Sequence, residues 1–380
     1  YDITVFSIGK EHNIKRKDNL TEIEWKNNRF LDFIYRKNFK NYSKGVVDSS
    51  SNLLIRFLSW IRVNFFYPDG RIFNLRKIEN FIIEYIIKND INLLITTSPP
   101  HSTQLLGQRI KKKTNIEWIS DYRDPYLSWD ILLNMKPLNI SKKIHSNFQN
   151  QFLNGSDKII VTNSELKKEF SSLTNNQIEV IHNGSNYYPS NNFINKKFIL
   201  SYFGLLNKLR DPKTLIDVLD DLLKTDKFFY ENFEFHLYGD IQKTTLNDIK
   251  NKKYLIQKTT IKNYMPNNKI SKEIDSSSLL LLLLNNTKIQ NTTPYKLFDY
   301  LVSEKNILTL GDYPSGDVDH LLKKYKRSKR LNYSDNESIR GYLIKMFELY
   351  KNKKLKNIKL DYSELRYNHL AKKLDRIFNS

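Results

Sequence analysis

Charged or titratable side chains stand at four places where an apolar run gives way to a turn or a helix. Asp121-Tyr122-Arg123-Asp124-Pro125 follows the short run Ile116–Ser120. Two carboxylates flanking a guanidinium can take a proton, orient a hydroxyl or stabilise a developing positive charge. The same trio can equally be a structural ion-pair network. Upstream, Ser98-Pro99-Pro100-His101-Ser102 closes the run Leu93–Thr97; His101 can do acid–base work, or it can cap and pack. The third place is Tyr202–Pro212 (YFGLLNKLRDP), in which a strand ends at Gly204, Lys208 and Arg210 follow, and a helix begins at Asp211-Pro212. Proline suits a first helical turn, and a cation just ahead of a helix N-terminus is placed to hold an anion. Solvation at a helix start is the plainer role for Arg210. The fourth is Asn291–Leu301 (NTTPYKLFDYL), where Thr293 reads as an N-cap and Pro294 as the first helical residue. Its free amides form an anion site. Lys296 and Asp299, three apart, share a helix face, and Asn291 can hydrogen-bond a hydroxyl.

The elements around these residues predict their meeting. Leu93–Thr97 is a β-branched strand that two prolines must end. His101–Lys113 carries Leu105, Leu106 and Ile110 on one helical face, and Ile116–Ser120 is the next strand. In a parallel sheet the loops after strand C-termini line the ligand crevice, so the Ser98–Ser102 and Asp121–Pro125 loops face one cleft. Asp2–Ile8 alternates as a strand with Ile3 and Val5 inward, and Ile72–Asn89 is a long helix. A helix at Ser141–Asn154, a strand at Lys158–Thr162 and a strand at Ile178–Ile181 lead to the Asn183-Gly184 turn. Beyond it, strands are expected at Phe198–Phe203, Phe233–Tyr238, Leu279–Leu284 and Asn306–Leu310. Helices are expected at Pro212–Lys224, Pro294–Val302, Asp335–Lys351, capped by Ser334 and Glu337, and Glu364–Phe378. Strand–helix alternation in both halves predicts an α/β protein with two doubly wound, Rossmann-like sheets. The domains are expected at 1–183 and 184–363, with 364–380 a closing helix.

Composition narrows the classes. Hydrophobic residues at 39% and aromatics at 13% suffice for two cores and exclude global disorder. With no cysteine there is no disulfide, thiolate metal site or cysteine nucleophile, which fits a reducing cytoplasm. No apolar run approaches the roughly 20 residues needed to span a bilayer, and no secretory signal is present. The chain starts at Tyr1 without a methionine, so a preceding stretch is expected. The net charge is +21, with roughly +11 in the last sixty residues, densest at Leu322–Arg330 and Lys351–Lys359. A solvated basic surface, an anionic membrane partner and nucleic acid compete to explain it. No recognised motif accompanies the charge, so nucleic acid is not expected. Asn28–Tyr42 and Ile55–Tyr67 interleave aromatics with arginines and lysines; they can lie in a membrane interface, pack against a sheet, or do both with two faces. No Gly-x-Ser-x-Gly, P-loop, His-Glu-x-x-His or dinucleotide glycine motif occurs, and the carboxylates are not spaced as a metal cage.

The pairing of TSPPHS with SDYRDPY, together with YFGLLNKLRDP and KLFDYL, resembles family-four glycosyltransferases of the GT-B fold over nearly the whole chain. That resemblance implies two Rossmann-like domains around an interdomain cleft, a nucleotide-sugar donor as substrate, no cofactor and no metal. It implies a glycan or lipid-linked acceptor in bacterial surface-polysaccharide synthesis, retention of anomeric configuration, and a site on the inner face of the cell membrane. Gly204, Lys208 and Arg210 fall on the loop that grips the donor diphosphate. Thr293, Lys296 and Asp299 fall on the helix that holds the donor ribose. The family's acid is usually Glu where this chain has Asp299, and a second Glu is replaced by Asn291. Asp121, Arg123, Asp124 and His101 become the acceptor-side or catalytic candidates, although the donor phosphate itself can take the acceptor's proton. Asp2–Ile8 corresponds to the family's second strand, so the first strand and its glycine-rich loop would precede it. The closing helix would cross back to the first domain. A nucleotide-sugar hydrolase or epimerase of the same fold would use the same donor site without an acceptor. A basic, non-catalytic scaffold would explain the charge but not the motifs.

Overall fold

The computed structural model describes residues 1–9, 11–26, 53–72, 75–190, 196–289 and 292–379. Asn28–Tyr42 and Asn291 lie outside them. The chain divides into two compact units, Tyr1–Ile160 with Phe170–Ile178, and Val161–Glu169 with Glu179–Ser380.

The first unit opens on β1 (Ile3–Gly9), β2 (Asn13–Lys17) and β3 (Leu20–Lys26), a sheet in the order β1-β3-β2. β1 runs parallel and β2 antiparallel to β3. The inward face of β1 is the reverse of the expected one. Ile3 and Val5 are 52% and 45% exposed, whereas Phe6 packs edge-on against Phe81 and Tyr85. Alternation fixes that one face is buried but not which, and here the partner helix meets the even-numbered side. Helices α1 (Leu53–Phe65) and α2 (Leu75–Lys88) follow. α2 buries Ile78, Ile82 and Ile86, four apart, as its helical period demands. Then come β4 (Leu93–Ser98), α3 (Ser102–Thr114), β5 (Glu117–Tyr122), α4 (Asp130–Asn134) and α5 (Asn139–Gly155). The run ends with β6 (Lys158–Val161), α6 (Ser164–Ser171), most of which belongs to the second unit, and β7 (Gln177–Val180). The sheet order is β4-β5-β6-β7, and Asn163 caps α6 through the Leu166 amide at 2.7 Å. Buried Glu79 on α2 pairs with Lys113 (2.6 Å) and Arg109 (3.5 Å) on α3, locking the two helices together.

The second unit is a five-stranded parallel sheet with helices on both faces. Its elements are β8 (Phe198–Phe203), α7 (Lys213–Thr225), α8 (Lys227–Asn232), β9 (Phe233–Tyr238), α9 (Lys243–Lys250), α10 (Leu255–Lys258), β10 (Thr259–Lys262) and α11 (Asn267–Asp275). β11 (Leu279–Leu283), α12 (Tyr295–Val302), β12 (Asn306–Leu310), α13 (Gly316–Lys324), α14 (Asn336–Lys351) and α15 (Tyr367–Phe378) complete it, in the strand order β10-β9-β8-β11-β12. The six-leucine run shows why both faces are covered: Leu279, Leu281 and Leu283 join one core, and Leu280, Leu282 and Leu284 the other. Two caps differ from expectation. Asp335, rather than Ser334, accepts from the Ser338 amide at 3.0 Å to start α14. Pro294, rather than Thr293, precedes α12, and no side chain caps it. The Leu322–Arg330 run is only partly a surface. Arg327 is buried and donates to the Tyr325 and Leu301 carbonyls, each at 2.8 Å, and Arg330 pairs with Asp319 at 3.1 Å.

Candidate functional site

In the second unit the C-terminal ends of β8, β9 and β10 are stitched together by two glycines. Gly204 donates its amide to the Tyr238 carbonyl at 2.8 Å, and Gly239 to the Lys262 carbonyl at 2.9 Å. Both have positive φ, +124° and +128°. A Cβ on Gly239 would stand 2.3 Å from the Gly204 carbonyl oxygen, so the backbones approach too closely for a side chain. After Gly204 the chain forms a 3₁₀ turn, Lys208–Arg210, started by Asn207, whose side chain accepts from the Leu209 amide at 3.1 Å. That turn aims Arg210 back over the strand ends. Its Nε donates to Asn285 Oδ1 at 2.8 Å and one Nη to the Leu205 carbonyl at 3.4 Å.

Lys296, one residue into α12, comes to the same place. Its Nζ donates to the Phe203 carbonyl at 3.1 Å, lies 3.9 Å from the Tyr202 ring centroid, and would be 3.6 Å from a Cβ on Gly204. Burial, and then the neighbouring Arg210 charge, push the Lys296 ammonium well below its usual range. Among the described residues neither Lys296 nor Arg210 forms an ion pair with a carboxylate. Two cations held side by side at strand C-termini, beside an uncapped helix start, form a site whose missing charge is negative. Lys208 is exposed at the rim. Asp299, one turn along α12, accepts from Ser185 Oγ at 2.5 Å, and burial raises its pKa against the opposing effects of Ser185 and Arg366. The structure thus joins Gly204, Arg210 and Lys296 and ties Asp299 to Ser185. Thr293 is buried just before α12.

Sequence reading missed Gly239, Asn285 and Ser185. A glycine directly after the β9 run was the available signal for the first. Asn285 and Ser185 become meaningful only through contacts 75 and 114 residues away in sequence.

In the first unit the two expected loops do meet. β4 and β5 are parallel neighbours, with Thr97 opposite Asp121 and Ser98 opposite Tyr122. The Arg123 amide donates to the Ser98 carbonyl at 2.9 Å, and Gln104 Nε2 to the Asp121 carbonyl at 3.0 Å. Asp121 lies 3.5 Å from Arg123. Burial raises the pKa of Asp121 and Asp124; Arg123 opposes both. Such carboxylates hold their protons to higher pH than exposed ones and are suited to exchange them in a reaction.

His101 turns elsewhere. It is 4% exposed, stacks on Tyr126 at 4.1 Å, and neither ring nitrogen has a hydrogen-bond partner. Burial lowers its pKa to about 4, against the attraction of Asp69. Asp69 in turn accepts from the Ser102 amide at 2.8 Å and so caps α3. His145 is fully engaged. Its Nε2 donates to the Val63 carbonyl at 2.9 Å, which leaves Nδ1 to accept from the Tyr126 hydroxyl at 2.7 Å. These groups line a cavity of about 50 Å³ with Arg62 and Trp129. That is room for roughly three or four waters, too little for a sugar ring. His101 forms part of this cavity's wall, and among the described residues it makes no hydrogen bond to Asp121.

No family model and no curated protein matches the sequence. Solved structures do. A sucrose-phosphate synthase from Thermosynechococcus elongatus superposes with a TM-score of 0.67 at 10% identity, over 100% of this chain and 88% of its own. A UDP-forming α,α-trehalose-phosphate synthase from Burkholderia xenovorans, in complex with glucose-6-phosphate, gives 0.64 at 7% identity over 99% and 94%. HepE from Anabaena, in complex with UDP, gives 0.59 at 11% identity over 80% and 82%. The chain has the GT-B fold. The β4–β7 sheet and the five-stranded sheet are the two Rossmann-like sheets that the strand–helix alternation predicted, and β1–β3 form a separate third sheet that it did not. Among the described residues no three histidines or carboxylates are grouped to hold a metal, and no helix is long and apolar enough to cross a membrane.

Proposed function

We propose that this protein is a family-four-type, retaining glycosyltransferase. It moves a hexose-type sugar from a nucleoside-diphosphate sugar to a lipid-linked or polysaccharide acceptor in cell-surface glycan synthesis, at the inner face of the membrane and without a metal. The observation that carries this reading is the pair Arg210 and Lys296, two basic side chains with no carboxylate partner among the described residues, at the strand ends beside Gly204. A diphosphate supplies the charge they lack. HepE of this fold is in complex with UDP, so UDP is the first nucleotide to test.

In this reading the pyrophosphate lies against Arg210, Lys296 and the first amides of α12, with Lys208 at its edge. The ribose hydroxyls are received by Asp299, which Ser185 holds in place. The bond from the anomeric carbon to the phosphate oxygen breaks, and its electron pair stays on the phosphate, where the two cations stabilise it. The acceptor hydroxyl forms the new bond on the same face and gives its proton to the departing phosphate oxygen, which retains configuration. Asp121 and Asp124 orient the acceptor or relay that proton, and Arg123 sets their charge. A thermal-shift and calorimetric screen of UDP, GDP, dTDP and their sugars tests the donor assignment, since a ligand of the native state raises its melting temperature. Product analysis with and without an acceptor separates transfer from hydrolysis or epimerisation.

A further inference from the structure

The most cationic stretches of sequence lie in the second unit, yet Arg327 and Arg330 there are committed to internal contacts. A different face combines exposed apolar groups with basic side chains that form no ion pair among the described residues. On α1, Phe57 stacks on Trp60 at 6.3 Å and Trp60 meets Phe65 at 6.0 Å, an aromatic row along the helix. The start of α5 adjoins its end: the Leu138 amide donates to Asn64 Oδ1 at 2.7 Å, and Tyr67 bonds Ser141 at 2.9 Å. Phe57 and Phe65 are 57% and 63% exposed, Leu138 46% and Ile140 67%. Four large apolar side chains are thus in water on two adjoining helices, more than a solvated face needs.

Along these two segments themselves the charges are of one sign, with Asp69 next to the end of α1 turned to the His101 pocket. Arg56, Lys136, Lys142 and Lys143 are exposed on the same two segments. No aspartate or glutamate occurs between Leu53 and Pro68 or between Ile131 and Ser156. A second copy of this face would meet like charge with like charge, which disfavours self-association. An anionic lipid surface satisfies both features: acyl chains and glycerol backbones take the apolar tips, and headgroup phosphates take the lysines.

We propose that the α1–α5 face of the first unit docks the protein on an anionic bilayer, inserting Phe57, Phe65, Leu138 and Ile140 at the headgroup level. No described helix can span a bilayer, so the contact is interfacial. The proposal builds on the reading of a lipid-linked acceptor but is measured separately from it.

The test is co-sedimentation of the full chain with phosphatidylcholine vesicles, with and without one third phosphatidylglycerol, at low and high salt. Binding should require phosphatidylglycerol and weaken steeply with salt. K142Q/K143Q should lower the partition coefficient by roughly fivefold per charge removed. F65S/I140S should release the protein even at low salt. Both variants should keep the wild-type melting temperature and UDP response, because all four side chains are exposed. Equal binding to neutral vesicles, no binding at all, or binding that neither variant reduces would overturn the proposal. So would capture of this face by an acidic protein with vesicle binding unchanged in both variants. UDP binding that fails while vesicle binding persists would count against the donor site alone.

Discussion

Lys296 sits where its charge is least welcome, and that is a statement about stability as well as binding. Its folded pKa is depressed by burial and by Arg210. The unfolded chain therefore binds a proton that the native state resists, and native stability rises with pH up to the ordinary lysine value of about 10.4. K296M, apolar and similar in length, should leave the unliganded protein at least as stable in urea titration while abolishing the nucleotide-induced shift. A less stable variant that still binds would contradict this placement. A bound diphosphate raises the Lys296 pKa, so binding takes up a proton and affinity falls as pH rises between the free and bound values. Calorimetry in buffers of different ionisation enthalpy reads that uptake directly. On the other unit, Asp121 and Asp124 have raised pKa values, so a rate that needs either ionised should fall as pH drops through that raised value. D121N and D124N should lower kcat more than the KM for the donor, and the variant of the residue that titrates should lose the acid limb of the profile.

At the scale of elements, the C-terminal ends of β8 and β9 meet backbone against backbone at Gly204 and Gly239. G239A would put a methyl 2.3 Å from the Gly204 carbonyl at a φ of +128°. It should cost about 1–3 kcal/mol in urea unfolding and weaken nucleotide binding by displacing Gly204. L281A, deep in the sheet and without any role in the site, should cost about 2–5 kcal/mol and leave nucleotide affinity unchanged. These strands were legible because their apolar runs are short, β-branched or leucine-rich and bounded by turn residues: Phe198–Phe203, Phe233–Tyr238 and Asn306–Leu310 begin and end where expected. β10 was not legible. Thr259–Lys262 is an edge strand with three exposed residues, so nothing in its composition asks for burial. The α12 cap was misplaced because Thr-Pro satisfies the capping pattern whether or not the threonine reaches an amide. Of the candidate site, Arg210 and Lys296 were visible because a charged residue at a strand-to-helix junction has few structural duties. Asn285 and Ser185 were invisible because their partners are distant in sequence. His101 was visible as a residue and not as an orientation: sequence shows where a side chain is attached, and the Tyr126 stack decides where it points.

For the whole molecule, the charge of +21 and the two-unit construction make separable demands. Nucleotide should protect the amides at the ends of β8 and β9 and at the start of α12 from hydrogen exchange, and leave the β4 and β5 loops unchanged in the absence of acceptor. The surface charge makes association with anionic partners salt-sensitive, whereas Lys296, being buried, holds its ligand through a range of ionic strength. The most direct measurement is the affinity of UDP, GDP and dTDP for the wild type, R210A and K296A by titration calorimetry. One nucleoside diphosphate should bind the wild type, and each variant should bind it roughly ten- to a hundredfold more weakly, the loss of one charged hydrogen bond to phosphate. Unchanged affinity in both variants, or a wild type that binds none of the three, would contradict the donor site and with it the function assigned.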